Sequence, residues 1–99
     1  MLAPASIMEV VGNALGLEEG WETQRRHNVG RAVAAMMLCK YGGLRQRAAA
    51  PILGVGTGAA VSAQLGRLEK ALKMDPALAS RADHIEGVLR GLRQKAKIS

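Results

Sequence analysis

A helix that Asn28 can cap runs to about Tyr41, and Val33, Met36, Met37 and the stretch to Tyr41 make it apolar nearly all round. A helix of that kind is buried all round and needs neighbours on every face. Any fold of this chain must therefore wrap other elements around a central helix. Ninety-nine residues suffice for one such core and not for two. No segment alternates apolar and polar residues with period two, so the neighbours are expected to be helices as well. The expected architecture is all-α, a small bundle of five to six helices forming one domain over residues 1–99.

The flanking segments carry helix punctuation. Ser6-Ile7-Met8-Glu9 has the spacing of a capping box, and Ile7, Val10, Val11, Ala14 and Leu15 follow on one face. Gly16 suits the left-handed residue after a helix, with Leu17 folding back. Residues 17–23 read as a short, weak helix, because Gly20 costs about 1 kcal/mol in a helix interior. Trp21 reads as core or lid rather than as a ligand platform. Residues 24–28 form a polar, basic linker, and Asn28 is expected to cap the central helix, which Gly42-Gly43 ends.

Residues 44–53 read as a helix with Ala48, Ala49, Ile52 and Leu53 inward. Pro51 either lies in the first turn of a short helix or kinks a longer one. Gly54-Val55-Gly56-Thr57-Gly58 is a turn, after which Thr57 caps a helix over residues 58–74. Val61, Leu65, Leu68 and Leu72 form its core stripe, and Ser62, Arg67, Lys70 and Lys73 face out. Asp75-Pro76 is a cap followed by proline at the first helical position. It opens a last helix over residues 76–95, with Leu78, Ala82, Ile85, Leu89 and Leu92 inward and Arg81, Arg90, Arg93, Lys95 and Lys97 outward.

A helix, a glycine turn and a longer helix with a polar outer face, over about residues 44–74, follow helix-turn-helix order. In that motif the start of the second helix meets base edges in the major groove. Here the start is Thr57, Gly58, Ala59, Ala60 and Ser62, which offer hydroxyls and methyl contacts and no bidentate pairing with a base.

Charge points the same way. The chain has 14 basic and 8 acidic residues, a net +6. Residues 1–30 hold two arginines against four glutamates, and residues 31–99 hold twelve basic against four acidic residues. An excess of this kind suits a polyanion. Trp21 and Tyr41 are the only aromatic residues, too few for the stacking platforms of single-strand binders. Duplex DNA is the expected partner.

Other chemistries find little support in the sequence. His27 and His84 lie far apart with no ligand-spaced neighbours, so no metal and no cofactor are expected. Asp83 and Glu86 read as surface charge, and Ser62 and Ser80 have no histidine beside them. The glycine-rich turn lacks the Lys-Ser/Thr of a phosphate loop and follows no strand. No enzyme activity and no small-molecule substrate are expected. The longest apolar run, residues 32–39, is eight residues against about 20 for a bilayer span, so no membrane partner is expected either. Met1-Leu2-Ala3-Pro4 lacks the features of a secretory signal. The single Cys39 reads as a small buried hydrophobe in a reducing cytoplasm.

The run from Gly30 to Leu68 resembles a known family. Its carriers are Gly-Arg-Ala-Val-Ala-Ala-Met-Met-Leu-Cys-Lys-Tyr-Gly-Gly-Leu from Gly30, then Ile52-Leu53-Gly54, Ala60-Val61 and Arg67-Leu68. They resemble the C-terminal DNA-binding domain of the bacterial replication initiator DnaA, a Trp-repressor-like helical fold. The same domain is appended to REP-associated tyrosine transposases, and Gly56 to Ser62 is closer to their turn. The resemblance covers about residues 5–95. It implies that Arg25 and Arg26, ahead of the central helix, enter a minor groove. It places the initiator's base-reading Asp-His-Thr-Thr at Thr57, Gly58, Ala59 and Ala60, so those reading side chains are replaced. The initiator's nucleotide-binding module and the transposases' His-hydrophobe-His motif are not in the sequence. The chain is thus expected to be an excised domain or a stand-alone remnant.

The expected function is duplex-DNA binding, as the C-terminal module of a transposase-like or replication-initiator-like protein. Arg25 and Arg26 would enter the groove or grip phosphate. Arg45, Arg47, Arg67 and Lys70 would contact the backbone, and Thr57, Gly58 and Ser62 would meet phosphate or base edges. The alternative is a protein-interaction module on the same fold, pairing with another helix or self-associating through the outer face of the last helix.

Overall fold

In the computed structural model, which describes residues 1–98, the apolar segment is helix α2 (Asn28–Tyr41) and lies at the centre. Around it pack α1 (Pro4–Leu15), α3 (Gln46–Ile52), α4 (Gly58–Met74) and α5 (Pro76–Ile98). Two single-turn 3-10 helices, Trp21–Thr23 and Arg25–His27, join α1 to α2. No strand occurs among the described residues. The fold is an all-α small bundle of five helices. Val33, Ala34, Ala35, Met37 and Leu38 of α2 are completely enclosed. Ile7 and Val11, Ala49 and Leu53, Val61 and Leu68, and Ile85 and Leu89 close on them from the other elements.

The helix α1 starts earlier than its capping box predicts. Its cap position is Ala3, which has no capping side chain, and Pro4 sits in the first turn. A proline there loses no hydrogen bond, and it moves the start upstream of Ser6, which becomes an exposed helical residue. The end matches expectation. Gly16 takes φ +65°, its N–H meets Asn13 O at 3.3 Å, and Leu17 N–H meets Gly12 O at 2.9 Å. This is a Schellman motif.

The connection to α2 is two 3-10 turns rather than one weak helix, and Gly20 precedes the first of them. Asn28 does not cap α2; it is the first helical residue, and its Oδ1 accepts from Arg31 Nη1 at 3.3 Å. Ala14 and Ala48, expected inward, are exposed.

Pro51 lies in the second turn of α3, and the helix ends one residue later. The end is again a Schellman motif: Gly54 has φ +67°, Gly54 N–H bonds Pro51 O at 3.3 Å, and Val55 N–H bonds Ala50 O at 3.0 Å. A helix this short absorbs the missing donor without a kink.

Both remaining caps form as expected. Thr57 Oγ1 accepts from Ala60 N at 3.1 Å, and Asp75 Oδ1 accepts from Ala77 N and Leu78 N at 3.1 and 3.2 Å. The helix α5 is tied to α2 by Glu86, which accepts from Tyr41 Oη at 3.1 Å and from Lys40 Nζ. Arg93, expected to face out, instead lies over the Tyr41 ring, 5.0 Å from its centroid, a cation–π contact. The side chain of Lys97 lies outside the described residues.

Candidate nucleic-acid interface

Helices α3 and α4 meet at their starting ends. A Cβ on Gly58 would stand 3.2 Å from the Arg47 amide nitrogen and 3.3 Å from its Cα. The glycine therefore lets the first turn of α4 abut the first turn of α3. The start of α3, with exposed Arg45 and Arg47, thus lies against the start of α4, which Thr57 caps. Arg45 holds the cap position of α3, and its carbonyl accepts from the Ala48 and Ala49 amides. Thr57 spends its oxygen as an acceptor for the cap and keeps its hydroxyl hydrogen to donate. Gly58 itself is half-buried, so its role in this geometry is close packing.

The leading turns of α4 carry only small residues on their outer side: Ala59, Ser62, Ala63 and Gly66 are all exposed. Space is open around Gly66. A rod of backbone this bare can approach another molecule closely. Arg67 and Lys70 stand exposed further along the same helix.

Beside this helix lies a cleft of about 660 Å³, within the volume range of ligand sites. Its walls are the 3-10 turns, the first turns of α2, the Gly54–Val55–Gly56 turn and α4. Three arginines line it: Arg25, Arg31 and Arg67. No carboxylate does. Arg25 and Arg67 are exposed, and neither takes part in an ion pair among the described residues. Arg31 is only 4% exposed. Its Nη2 donates to Leu53 O at 2.5 Å and its Nη1 to Asn28 Oδ1, while its Nε has no partner. Gln64, 5% exposed, lines the same cleft, and its Oε1 also has no partner.

Arg26 behaves differently from Arg25. Its guanidinium pairs with Glu18 and donates from Nε to Gln24 Oε1 at 3.0 Å. His27 Nε2 lies 3.1 Å from the same carboxylate. The structure thus assembles the expected residues into two groups. Arg45, Arg47, Thr57, Gly58 and Ser62 gather at the starts of α3 and α4. Arg25 and Arg67 both line the cleft, Lys70 continues along α4, and Arg26 is paired with Glu18.

Helix faces in the sequence do not single out Arg31 and Gln64, and Asn28 reads there as a cap. Arg31 interrupts an apolar helix, and Gln64 falls between Val61 and Leu68 on the core stripe. A polar residue inside an apolar pattern was the signal. A second signal was equally open: residues 23–68 contain seven basic residues and no Asp or Glu.

Four of the eight acidic residues collect elsewhere, and Glu69 stands exposed on α4 near Lys73. Glu9, Glu18, Glu19 and Glu22 line a separate cleft with Met8, Gly12 and Trp21. Among the described residues, the outer face of α5 contributes only Val88 to the exposed large apolar side chains. Among the described residues, no three His, Cys, Asp or Glu side chains group as a metal site, and no helix is long and apolar enough to cross a membrane. Cys39 is half-buried, and burial pushes its thiol up from the ordinary range. Comparison with family models, curated proteins and solved structures finds no match to the chain.

Proposed function

We propose that the chain binds duplex DNA, with α3, the Gly54–Gly58 turn and α4 acting as a helix-turn-helix. One observation carries this reading. The surface formed by the start of α3, the first turns of α4 and the adjoining cleft has five arginines and no carboxylate, and the helix at its centre is stripped to small side chains. A bare helix enters a major groove, while arginines on either side take backbone phosphates. Segregation of four glutamates into the other cleft keeps repulsive charge off this surface.

On this reading the arginines position the protein and the bases are read weakly. Thr57 and Ser62 supply hydroxyls, and Ala59 and Ala63 supply methyl contacts to thymine. The chain is then a relative of the DnaA C-terminal domain that kept the fold and the phosphate contacts and lost the base-reading set. The test is fluorescence anisotropy with a labelled 20-base-pair duplex and its single strand, at low and physiological salt. The expected result is duplex-preferring binding that weakens steeply as salt rises. Absence of binding at low salt, from a folded chain, refutes it.

A further inference from the structure

The buried guanidinium of Arg31 is unusual in its setting. A charge this enclosed is ordinarily paired with an opposite charge. Arg31 has only two neutral acceptors, Asn28 Oδ1 and Leu53 O, an Nε with no partner, and no ion pair among the described residues. It lines a cleft whose other charged residues, Arg25 and Arg67, are also cations without a carboxylate. Gln64 adds a buried amide with an unpartnered oxygen to the same wall. Three arginines lining one concave space, one of them anchored to Asn28 of α2 and to Leu53 at the end of α3, make a receptor for a compact anion. Guanidinium forks match the geometry of phosphate oxygens. Gly56, with open space around it, adds no side chain to the turn side of the wall.

We propose that this cleft is a seat for a single phosphate group, gripped by Arg25 and Arg67 at the rim and neutralising Arg31 beneath them. On a duplex the group is one backbone phosphate, and the seat then sets the register of α4 in the groove. That source rests on the DNA-binding reading; the seat itself does not. A free phosphorylated molecule presents the same chemistry.

The experiment follows the Arg31 Nε–H resonance by nitrogen–proton NMR of the full chain, first titrated with inorganic phosphate. The expected result is a saturable shift of that resonance. In the Arg25→Gln/Arg67→Gln variant, binding falls about tenfold or more, as loss of charge-assisted hydrogen bonds requires. The Arg81→Gln/Arg90→Gln variant removes the same charge away from the cleft and is expected to keep wild-type phosphate affinity within about twofold. Both variants change exposed side chains, so folding is preserved and is checked by circular dichroism. A 20-base-pair duplex is titrated in a second arm. If the duplex shifts the same resonance and inorganic phosphate competes, the seat stands and its phosphate is that of DNA. Should phosphate saturate while the duplex leaves the resonance unmoved, the seat stands, its ligand is a free phosphorylated molecule, and it is the DNA reading that fails. No saturation, or equal binding by wild type and Arg25→Gln/Arg67→Gln, overturns the seat regardless of what the duplex does.

Discussion

Gly12 of α1 lies under the indole of Trp21, so close that a Cβ there would stand 2.7 Å from Trp21 Nε1. The ring is 6% exposed and belongs to the core. Alanine in place of a helical glycine ordinarily gains about 1 kcal/mol, but here the extra methyl meets a buried ring that has nowhere to go. Overpacking costs about 1–3 kcal/mol and wins. Gly12→Ala is expected to destabilise the fold by about 1 kcal/mol net, measured by urea denaturation. Gly30→Ala crowds the far end of the flexible Leu17 side chain, with Leu15 and Trp21 in ordinary contact, and is expected to be near neutral. At Gly87, with open space around it, alanine should stabilise by about 0.5–1 kcal/mol. Equal effects at the three sites would refute the packing argument.

Glu86 is the polar tie between α5 and α2. The hydrogen bond from Lys40 holds its carboxyl below the usual carboxylate range, with Tyr41 adding to the effect and burial opposing it. Lys40 is raised by the same bond. A carboxyl depressed in the folded state contributes stability above its unfolded value, about 4.3, and loses it as pH falls through the folded value. The Lys40 end runs the other way, fully present below about 10.4 and lost as pH rises through its raised value. Glu86→Gln should therefore lower stability at pH 7 by about 1 kcal/mol, and the difference should shrink as pH falls through the folded carboxyl value. A constant difference between the two proteins across that range would remove Glu86 from the tie.

The helix caps give a cleaner stability test. Thr57 and Asp75 each satisfy amides at a helix start, and substitution of such residues by alanine costs about 1 kcal/mol. Both variants are expected to lose that much in thermal or urea unfolding. Only Thr57→Ala is expected to weaken DNA binding as well, because Thr57 opens α4 beside Arg45 and Arg47, whereas Asp75 opens α5.

Legibility in the sequence followed how local each interaction is. Gly16, Gly54, Thr57 and Asp75 were readable because a helix end needs a particular residue within a few positions of itself. The start of α1 was not, since Pro4 and Ser6 are competing start signals and the choice between them is tertiary. Ala48 shows the limit of helix periodicity in a seven-residue helix, where a shift of one position turns the face. Arg93 was placed outward because charge ordinarily faces water, and only the fold reveals the Tyr41 ring beneath it. The cleft was legible in part: Arg25 and Arg67 were visible as cations, but Arg31 and Gln64 join it from a core helix and a core stripe, where a polar side chain is read as an exception rather than a site.

Arg25 and Arg26 are neighbours in sequence with different freedom. Arg26 is engaged by Glu18 and Gln24, while Arg25 lines the basic cleft. If both bound phosphate equally, either alanine variant would reduce the salt slope of duplex binding by about 0.9. The expected result is that Arg25→Ala does so and Arg26→Ala changes it little. Glu18→Gln should release Arg26 and raise duplex affinity. Anisotropy titrations at four salt concentrations measure all three, and an equal loss for Arg25→Ala and Arg26→Ala would show that the Glu18 pair opens on binding.

Ala59 separates stability from binding most sharply. It is exposed in the first turn of α4, where a carboxylate interacts favourably with the helix dipole by about 0.3–1 kcal/mol. That same carboxylate would be thrust toward DNA phosphates by any docking that uses the start of α4. Ala59→Glu is therefore expected to raise the unfolding free energy slightly and to lower duplex affinity by about tenfold or more, the two effects having opposite sign. A general loss of folding cannot produce that combination. Unchanged duplex affinity in a variant of raised stability would show that DNA, if bound, does not approach through the start of α4.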